Sequence, residues 1–123
     1  MASVGFHEAE EHLAPKTRDM HRAIVSLMEE LEAIDWYQQR MDATGDPDLQ
    51  AILRHNRDEE KEHAAMVLEW IRRQDPVFDT KLREYLFSEG SIVGREEAIQ
   101  NGDGSAPAAG AARVSVGSLR GGR

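Results

Sequence analysis

The most informative absence in this 123-residue chain is cysteine, of which it has none. Disulfide bonds, thiolate metal ligands and thiol catalysis are therefore excluded, and a metal site would have to use carboxylate and imidazole ligands. Aromatic residues make up only 6% of the chain. A single chain of this length buries a modest core at best, which favours association with further copies.

Long apolar runs are also absent. We therefore expect no membrane-spanning segment, and because no basic stretch is followed by an apolar one at the N-terminus, we expect no secretory signal and a cytoplasmic location. The formal net charge is −8, and residues 1–88 hold nineteen acidic and eleven basic side chains against four of each in residues 89–123. An acidic body argues against a nucleic-acid surface and is compatible with attracting cations.

Two long amphipathic helices are indicated by apolar residues that alternate steps of four and three. The first is predicted from Pro15 to a stop near Gly45, where glycine can adopt the left-handed conformation. Asp46 and Pro47 have the pattern of an N-cap and a first helical residue, and the second helix is predicted to run to about Arg73. Because the connection is short, the helices should form an antiparallel hairpin. The predicted buried seams are Met20, Ile24, Leu27, Leu31, Ile34, Gln38 and Met41 on the first helix, and Leu49, Leu53, Asn56, Glu60, His63, Val67 and Trp70 on the second.

Composition divides the chain into four segments. We predict a flexible N-terminal segment over 1–14, a helical domain over 15–88, a Gly- and Ala-rich flexible linker over 89–112 and a C-terminal docking peptide over 113–123. Within the helical domain, a short third helix is predicted from Pro76 through Phe87.

The residues that carry chemistry are Glu60 and His63, which are three positions apart and so share one face of the second helix. Both take the place of apolar residues in its seam, and a buried glutamate is usually neutral, paired or bound to a metal. Glu30 lies on the first helix in a stripe with Ala23 and Tyr37, beside the seam. One Glu and one Glu-x-x-His are half of the ligand set that a ferritin-like di-iron bundle takes from four helices.

Pairing two such hairpins about a twofold axis would complete the set, with four carboxylates and two imidazoles around two divalent ions. We therefore predict an all-α fold in which a two-helix hairpin, with a short C-terminal helix, dimerises into a ferritin-like four-helix bundle. This ligand set favours iron, with calcium, manganese or zinc as alternative occupants. Because His63 binds metal as the neutral imidazole, we expect metal affinity to fall in acid.

Two segments of the predicted hairpin, 28–37 and 56–66, together resemble the encapsulated ferritins, and residues 117–121 resemble the peptides by which cargo proteins bind the inner wall of encapsulin shells. The resemblance covers about residues 15–88. It implies a ferroxidase that oxidises Fe(II) to Fe(III) with dioxygen at a di-iron centre shared by two chains, with five dimers in an open ring. It also implies iron storage and detoxification inside an encapsulin nanocompartment, with no nucleic acid or membrane as partner.

The resemblance further assigns roles to individual residues. The ferroxidase ligands that it implies are Glu30, Glu60 and His63. It implies that Glu29 and Glu32 belong to an outer site through which metal enters, with Trp36 beside that site. Tyr37 lies seven residues from Glu30 on the same stripe, so we expect it to contact the ligand side chains without binding the metal itself.

Other functions remain open. A non-enzymatic helical cargo or scaffold module would pair Glu60 and His63 with each other and with side chains such as Asn56, and its assembly and thermal stability would not depend on metal. A di-metal peroxidase would keep the bundle but consume hydrogen peroxide, whereas a DNA-associated iron protein is disfavoured by the acidic body. Four polar residues of the second helix fall outside its seam and are expected to be mainly solvated: His55, Asp58, Glu59 and Glu62.

Overall fold

The computed structural model describes residues 5–102, and all regular structure in that range is helical. The elements in order are a 3-10 turn Glu10–His12, α1 Pro15–Ala43, α2 Pro47–Gln74, α3 Pro76–Tyr85 and α4 Ile92–Gln100. The predicted all-α class is thus confirmed. None of the helices in the described range is long and apolar enough to cross a membrane.

The chain forms two compact units, and the boundary lies between Gln74 and Asp75. The first unit contains the 3-10 turn, α1 and α2, and the second contains α3 and α4. Asp75 caps α3 by accepting a hydrogen bond from the backbone N–H of Phe78 at 3.0 Å, as expected for an aspartate before a helix. The third helix was predicted to reach Phe87 and ends at Tyr85, and the helical domain over 15–88 stays a prediction.

The first unit is the predicted antiparallel hairpin. Late residues of α1 contact early residues of α2, since Gln50 donates to the Met41 carbonyl at 3.2 Å and Arg57 donates to Gln38 at 2.6 Å. Asp46 caps α2 by accepting from the backbone N–H of Asp48 at 2.9 Å. The start of α2 and the antiparallel arrangement therefore agree with the prediction.

The stop of α1 differs from the prediction at Gly45. The chain leaves the helix through Thr44 in an extended conformation, φ −90° and ψ 143°, and Gly45 is absent from the positive-φ glycines of the described residues. The Gln50 amide instead donates to the carbonyls of Met41 and Thr44. A side chain from α2 thus supplies the partner that a left-handed cap would otherwise give to carbonyls at a helix end.

The core of the hairpin is small, and only Met41 and Leu53 of it belong to the predicted seams. Its buried apolar residues are Met41, Leu53, Ala64 and Ile71. The predicted burial is wrong for part of both seams, because Ile24 and Leu31 of α1 are 45% and 53% exposed, and Leu49 and Trp70 of α2 are 42% and 40% exposed. Periodicity identifies apolar positions but does not reveal that each helix has apolar residues on more than one side, only one of which faces its hairpin partner.

The second unit contains a helix that the sequence did not predict. α4 lies inside the segment 89–112 predicted as a flexible linker, so that prediction is wrong for residues 92–100. Ser91 caps α4 by accepting from the backbone N–H of Gly94 at 2.9 Å, and Arg95 Nε donates to the Glu84 carbonyl at 2.9 Å. The rest of the predicted linker beyond residue 102, and the predicted peptide 113–123, lie outside the described residues.

The N-terminal segment contacts α1 through side chains. Arg18 donates to the carbonyls of Glu10 and Leu13 at 3.1 and 3.0 Å, and the Phe6 ring lies 4.7 Å from the His21 ring between centroids. The flexibility predicted for residues 1–14 stays a prediction.

Candidate metal centre

The middle turns of α1 and α2 bring Glu30, Glu60 and His63 together. His63 Nδ1 lies 2.8 Å from Glu60 Oε1 and 3.4 Å from Glu30 Oε2. One ligand atom from each residue lies within 4.8 Å of the other two. The three residues singled out from the sequence thus form one cluster, although their role as metal ligands remains a prediction.

The cluster sits at an edge of the hairpin rather than in its core. The side chains of Glu30 and Glu60 are 23% and 21% exposed, and that of His63 is 44% exposed. Glu60 is less buried than its place in the predicted seam implied, because α2 turns Ala64 inward instead. A half-exposed carboxylate keeps part of its hydration, so the single chain tolerates the cluster without a bound cation.

The electrostatics of the cluster favour a positive charge on His63. The hydrogen bond to the Glu60 carboxylate raises the pKa of the imidazole, partial burial opposes that effect, and the negative charges of Glu30, Glu60 and Glu59 add to it. A site that stabilises a proton on this nitrogen also attracts a metal cation to the same place. Metal binding must then displace the proton.

The residues present fit a divalent metal ion. Two carboxylates and one imidazole form the oxygen-rich set with nitrogen that iron and manganese accept. Ligand atoms about 2.1 Å from a common ion lie at most about 4.2 Å apart, and His63 Nδ1 lies 2.8 and 3.4 Å from carboxylate oxygens of Glu60 and Glu30. Three ligands leave the other coordination positions open to water or to a second chain.

The proposed outer site lies apart from this cluster. Glu29, Glu32 and Trp36 are exposed on α1, and none of them belongs to a metal-binding group of the described residues. Trp36 borders an open groove of about 350 Å³ that Gln39 and Arg40 also line. A metal role for these three residues stays a prediction, since exposed acidic side chains are common.

Tyr37 lies half-buried on α1. The guanidinium carbon of Arg40 is 5.6 Å from the centroid of its ring, a cation–π distance. Support of the ligands by Tyr37 therefore also stays a prediction.

The remaining polar residues of α2 behave as expected. The four predicted to be solvated, His55, Asp58, Glu59 and Glu62, are all exposed. The sequence did not predict the 2.6 Å hydrogen bond that Arg57 of α2 donates to Gln38 of α1. Periodicity had placed Gln38 in the seam of α1, but nothing in the pattern paired it with Arg57.

Exposed apolar side chains lie along the side of α2 that contains His63. On α2 the exposed residues Leu49, Ile52, Met66 and Trp70 recur at helical spacing on the same side as His63, and they are 40–59% exposed. Next to the cluster runs a groove of about 500 Å³ lined by Asp19, Arg22, Ala23, Ser26, Met66, Val67 and Trp70. An apolar side of this kind is typical of a surface covered by a partner.

Comparisons with known proteins identify relatives of this chain. It is 56% identical to an encapsulated ferritin-like protein of Rhodospirillum rubrum, over 94% of this chain and 87% of that protein. It is also 39% identical to an encapsulin nanocompartment cargo protein of Myxococcus xanthus, over 74% of this chain and 76% of that protein. A crystal structure from Nitrosomonas europaea matches with a TM-score of 0.70 and 62% identity, covering 72% of this chain and 97% of that one. The EncFtn-like family model matches residues 5–89, and the chain therefore belongs to the encapsulated ferritin family.

Proposed function

We propose that this protein is a ferroxidase that oxidises Fe(II) to Fe(III) with dioxygen at a two-iron centre built by two chains. The observation that carries the proposal is the cluster of Glu30, Glu60 and His63, whose ligand atoms lie within 4.8 Å of one another at an open edge of the hairpin. Fe(II) is the substrate, and each ion gives one electron to dioxygen.

Dimerisation follows from what a single chain lacks. One hairpin offers two carboxylates and one imidazole, while a second hairpin placed about a twofold axis doubles the set to four carboxylates and two imidazoles. The four carboxylates offset the charge of two Fe(II) ions. The exposed apolar residues beside His63, including Met66 and Trp70, become buried in the same step, which supplies the driving force.

The protein's own groups hold and deliver the substrate. The carboxylates of Glu30 and Glu60 bind iron through oxygen, and His63 binds it through Nδ1, the atom that faces them. Glu29 and Glu32, exposed on α1, would attract Fe(II) from solution at the outer site beside Trp36.

A larger assembly is part of the proposal. Ile24 and Leu31 are exposed on α1, and Leu31, one residue after Glu30, points about 100° away from it around the helix. This apolar strip is separate from the metal side, so each hairpin offers two surfaces to neighbours, as a ring of five dimers requires. The names of the relatives support a place inside an encapsulin nanocompartment, where iron storage and detoxification would occur and the peptide 113–123 would bind the shell protein.

The proposal is tested by comparing two double variants of α2. Glu60→Ala with His63→Ala should reduce the rate of Fe(II) oxidation at least about a hundredfold, because it removes the ligands of both irons. His55→Ala with Glu62→Ala removes the same residue types from exposed positions and should retain the parent rate. The rate is measured from the appearance of ferric product together with dioxygen uptake.

Two outcomes would contradict the proposal. Equal rates in the parent and the Glu60/His63 variant would remove the cluster from the reaction. Rapid oxidation with hydrogen peroxide and none with dioxygen would identify a peroxidase instead.

The 2.8 Å contact between His63 and Glu60 also favours a second candidate, a non-enzymatic scaffold in which the two residues only pair with each other. This candidate requires that thermal unfolding be independent of Fe(II), Mn(II) and Zn(II). A rise in the unfolding temperature with any of these ions, abolished in the Glu60/His63 variant, would reject it.

A further inference from the structure

One half-buried cation near the candidate centre has no part in the proposed reaction. Arg57 lies three residues before Glu60 on α2, and its side chain is only 17% exposed. Its Nη1 donates to Gln38 Oε1 of α1 at 2.6 Å, and its Nε donates to Asp58 Oδ1 at 3.0 Å. Arginine is costly to desolvate, so a guanidinium held at a helix interface is usually fixed by its hydrogen bonds.

Gln38 is itself fixed in one orientation. Its amide nitrogen donates to Asp42 Oδ1 at 3.0 Å, one turn later on α1. That bond turns Oε1 toward α2, where the Arg57 guanidinium reaches it. The result is a line of polar contacts from Asp42 through Gln38 and Arg57 to Asp58 that connects the two helices.

The line lies between the buried Met41 and Leu53 and the cluster, where the buried apolar side chain of α2 is small. Ala64 is the buried apolar residue of α2 next to Glu60, and a small side chain does not resist sliding of one helix along another. Arg57 and His63 are six residues apart, and hence about 120° apart around α2. Glu60 lies between them, with His63 contacting Glu30 on one side and Arg57 contacting Gln38 on the other.

We propose that Arg57, through Gln38, is a positioning residue that fixes the register of α2 on α1 and so holds Glu60 and His63 opposite Glu30 before metal arrives. Directional hydrogen bonds suit this role, because sliding one helix along the other lengthens the 2.6 Å contact and bends it away from its preferred angle. The inference rests on the proposed function, since it concerns the same three ligands. It adds residues that do not touch the metal.

The test is binding of Mn(II) to the full-length protein by calorimetry, with thermal unfolding of the metal-free form as a second readout. Arg57→Met and Gln38→Leu should each weaken Mn(II) binding roughly tenfold, and the double variant should weaken it no further than either alone, because both remove the same contact between the helices. Arg57→Lys, which retains a donor without the guanidinium fork, should recover part of the affinity. Affinities are compared at a temperature at which every variant is fully folded, so that loss of stability alone does not change them.

Arg54→Met is the matched control. Arg54 is exposed one turn earlier on α2, so its removal changes the net charge equally without touching α1, and parent affinity is expected. Equal weakening by Arg54→Met and Arg57→Met would overturn the inference in favour of long-range charge. Parent affinity in Arg57→Met, or additive losses in the double variant, would overturn it as well.

Failure of the proposed function is distinguishable in the same experiment. A parent protein that binds no Mn(II), or a His63→Ala variant that binds it as the parent does, would overturn both the shared metal site and the positioning role. Normal Mn(II) binding with the pattern expected for Arg57, but without oxidation of Fe(II), would reject the ferroxidase and support the positioning role.

Discussion

At His63, protonation competes with the proposed metal binding. Its Nδ1 faces the carboxylates of Glu60 and Glu30 at 2.8 and 3.4 Å. The two glutamates attract either a proton or a metal ion to the same nitrogen, so the acidity of the solution decides which of them binds. In the metal-free fold the raised pKa of His63 means that its charged form contributes stability below pH 6.5, and that this contribution is lost as the pH rises through the raised value.

The affinity for metal should therefore rise with pH, whereas the contribution of charged His63 to stability falls. Below the raised pKa of His63, binding of Mn(II) must expel one proton, and the affinity should fall about tenfold for each unit of decrease in pH. Above that pKa the dependence should flatten. Calorimetry in buffers of different ionisation enthalpy measures the proton release directly, and a pH-independent affinity in this range would exclude His63 as a ligand.

The ligand residues could be predicted from the sequence because the relation between Glu60 and His63 is local. Three positions on a helix specify a common face without any knowledge of the partner helix. The contact of Arg57 with Gln38 spans 19 positions in the chain and depends on the axial register of the two helices, which periodicity alone does not provide.

At the scale of helices, prolines and aspartates determined most boundaries. Pro15, Pro47 and Pro76 each begin a helix, as the sequence predicted, because proline suits the first turn and aspartate caps it. α4 was not predicted because Gly94 and the adjacent pair Ile92 and Val93 give no helical period. Its cap, Ser91, was a signal that the glycine-rich composition concealed.

The C-terminal end of α2 contains an acid–base cluster with a testable pH dependence. Glu69 accepts from Arg72 at 2.7 Å and from Arg73 at 2.7 Å, and these contacts lower the pKa of the carboxyl to about 2. A lowered pKa means that the contribution to stability is present above the unfolded value of about 4.5 and is lost as the pH falls toward 2.

Glu69→Gln should accordingly destabilise the hairpin at pH 7 by less than about 1 kcal/mol, because the pair is partly exposed and screened. The difference from the parent should shrink as the pH falls from 4.5 toward 2. Urea unfolding at several pH values measures it, and a difference that grows in acid would contradict the assignment.

At the scale of the whole molecule, the hairpin has too little core for the apolar surface that it carries. Four buried apolar residues form the core of the described part, while the side of α2 that contains His63 leaves Trp70 and Met66 exposed. The predicted seam of α2 combined the buried Leu53 with the exposed Leu49 and Trp70, and it omitted Ala64 and Ile71. The separation of an inner face from a partner face became visible only with the register of the two helices.

Trp70→Asp should therefore weaken association of two hairpins by roughly 2 kcal/mol or more, since it places a charge on the apolar side. Ala65→Asp introduces the same charge on the same helix, about 140° from Trp70, and is the control. Analytical ultracentrifugation compares the two variants in the presence of Mn(II). Association that Trp70→Asp leaves unchanged would exclude this side as the interface of the metal-bearing dimer.

The shared centre itself is tested most directly by native mass spectrometry of the protein titrated with Fe(II) in the absence of oxygen. The predicted result is a dimer, or a multiple of it, that gains two iron ions per pair of chains. The Glu60/His63 double variant should show neither the association nor the bound iron. Two results would contradict a centre completed by two chains. One is a monomer that binds one iron ion without associating, and the other is a fully associated protein that binds no iron at any Fe(II) concentration.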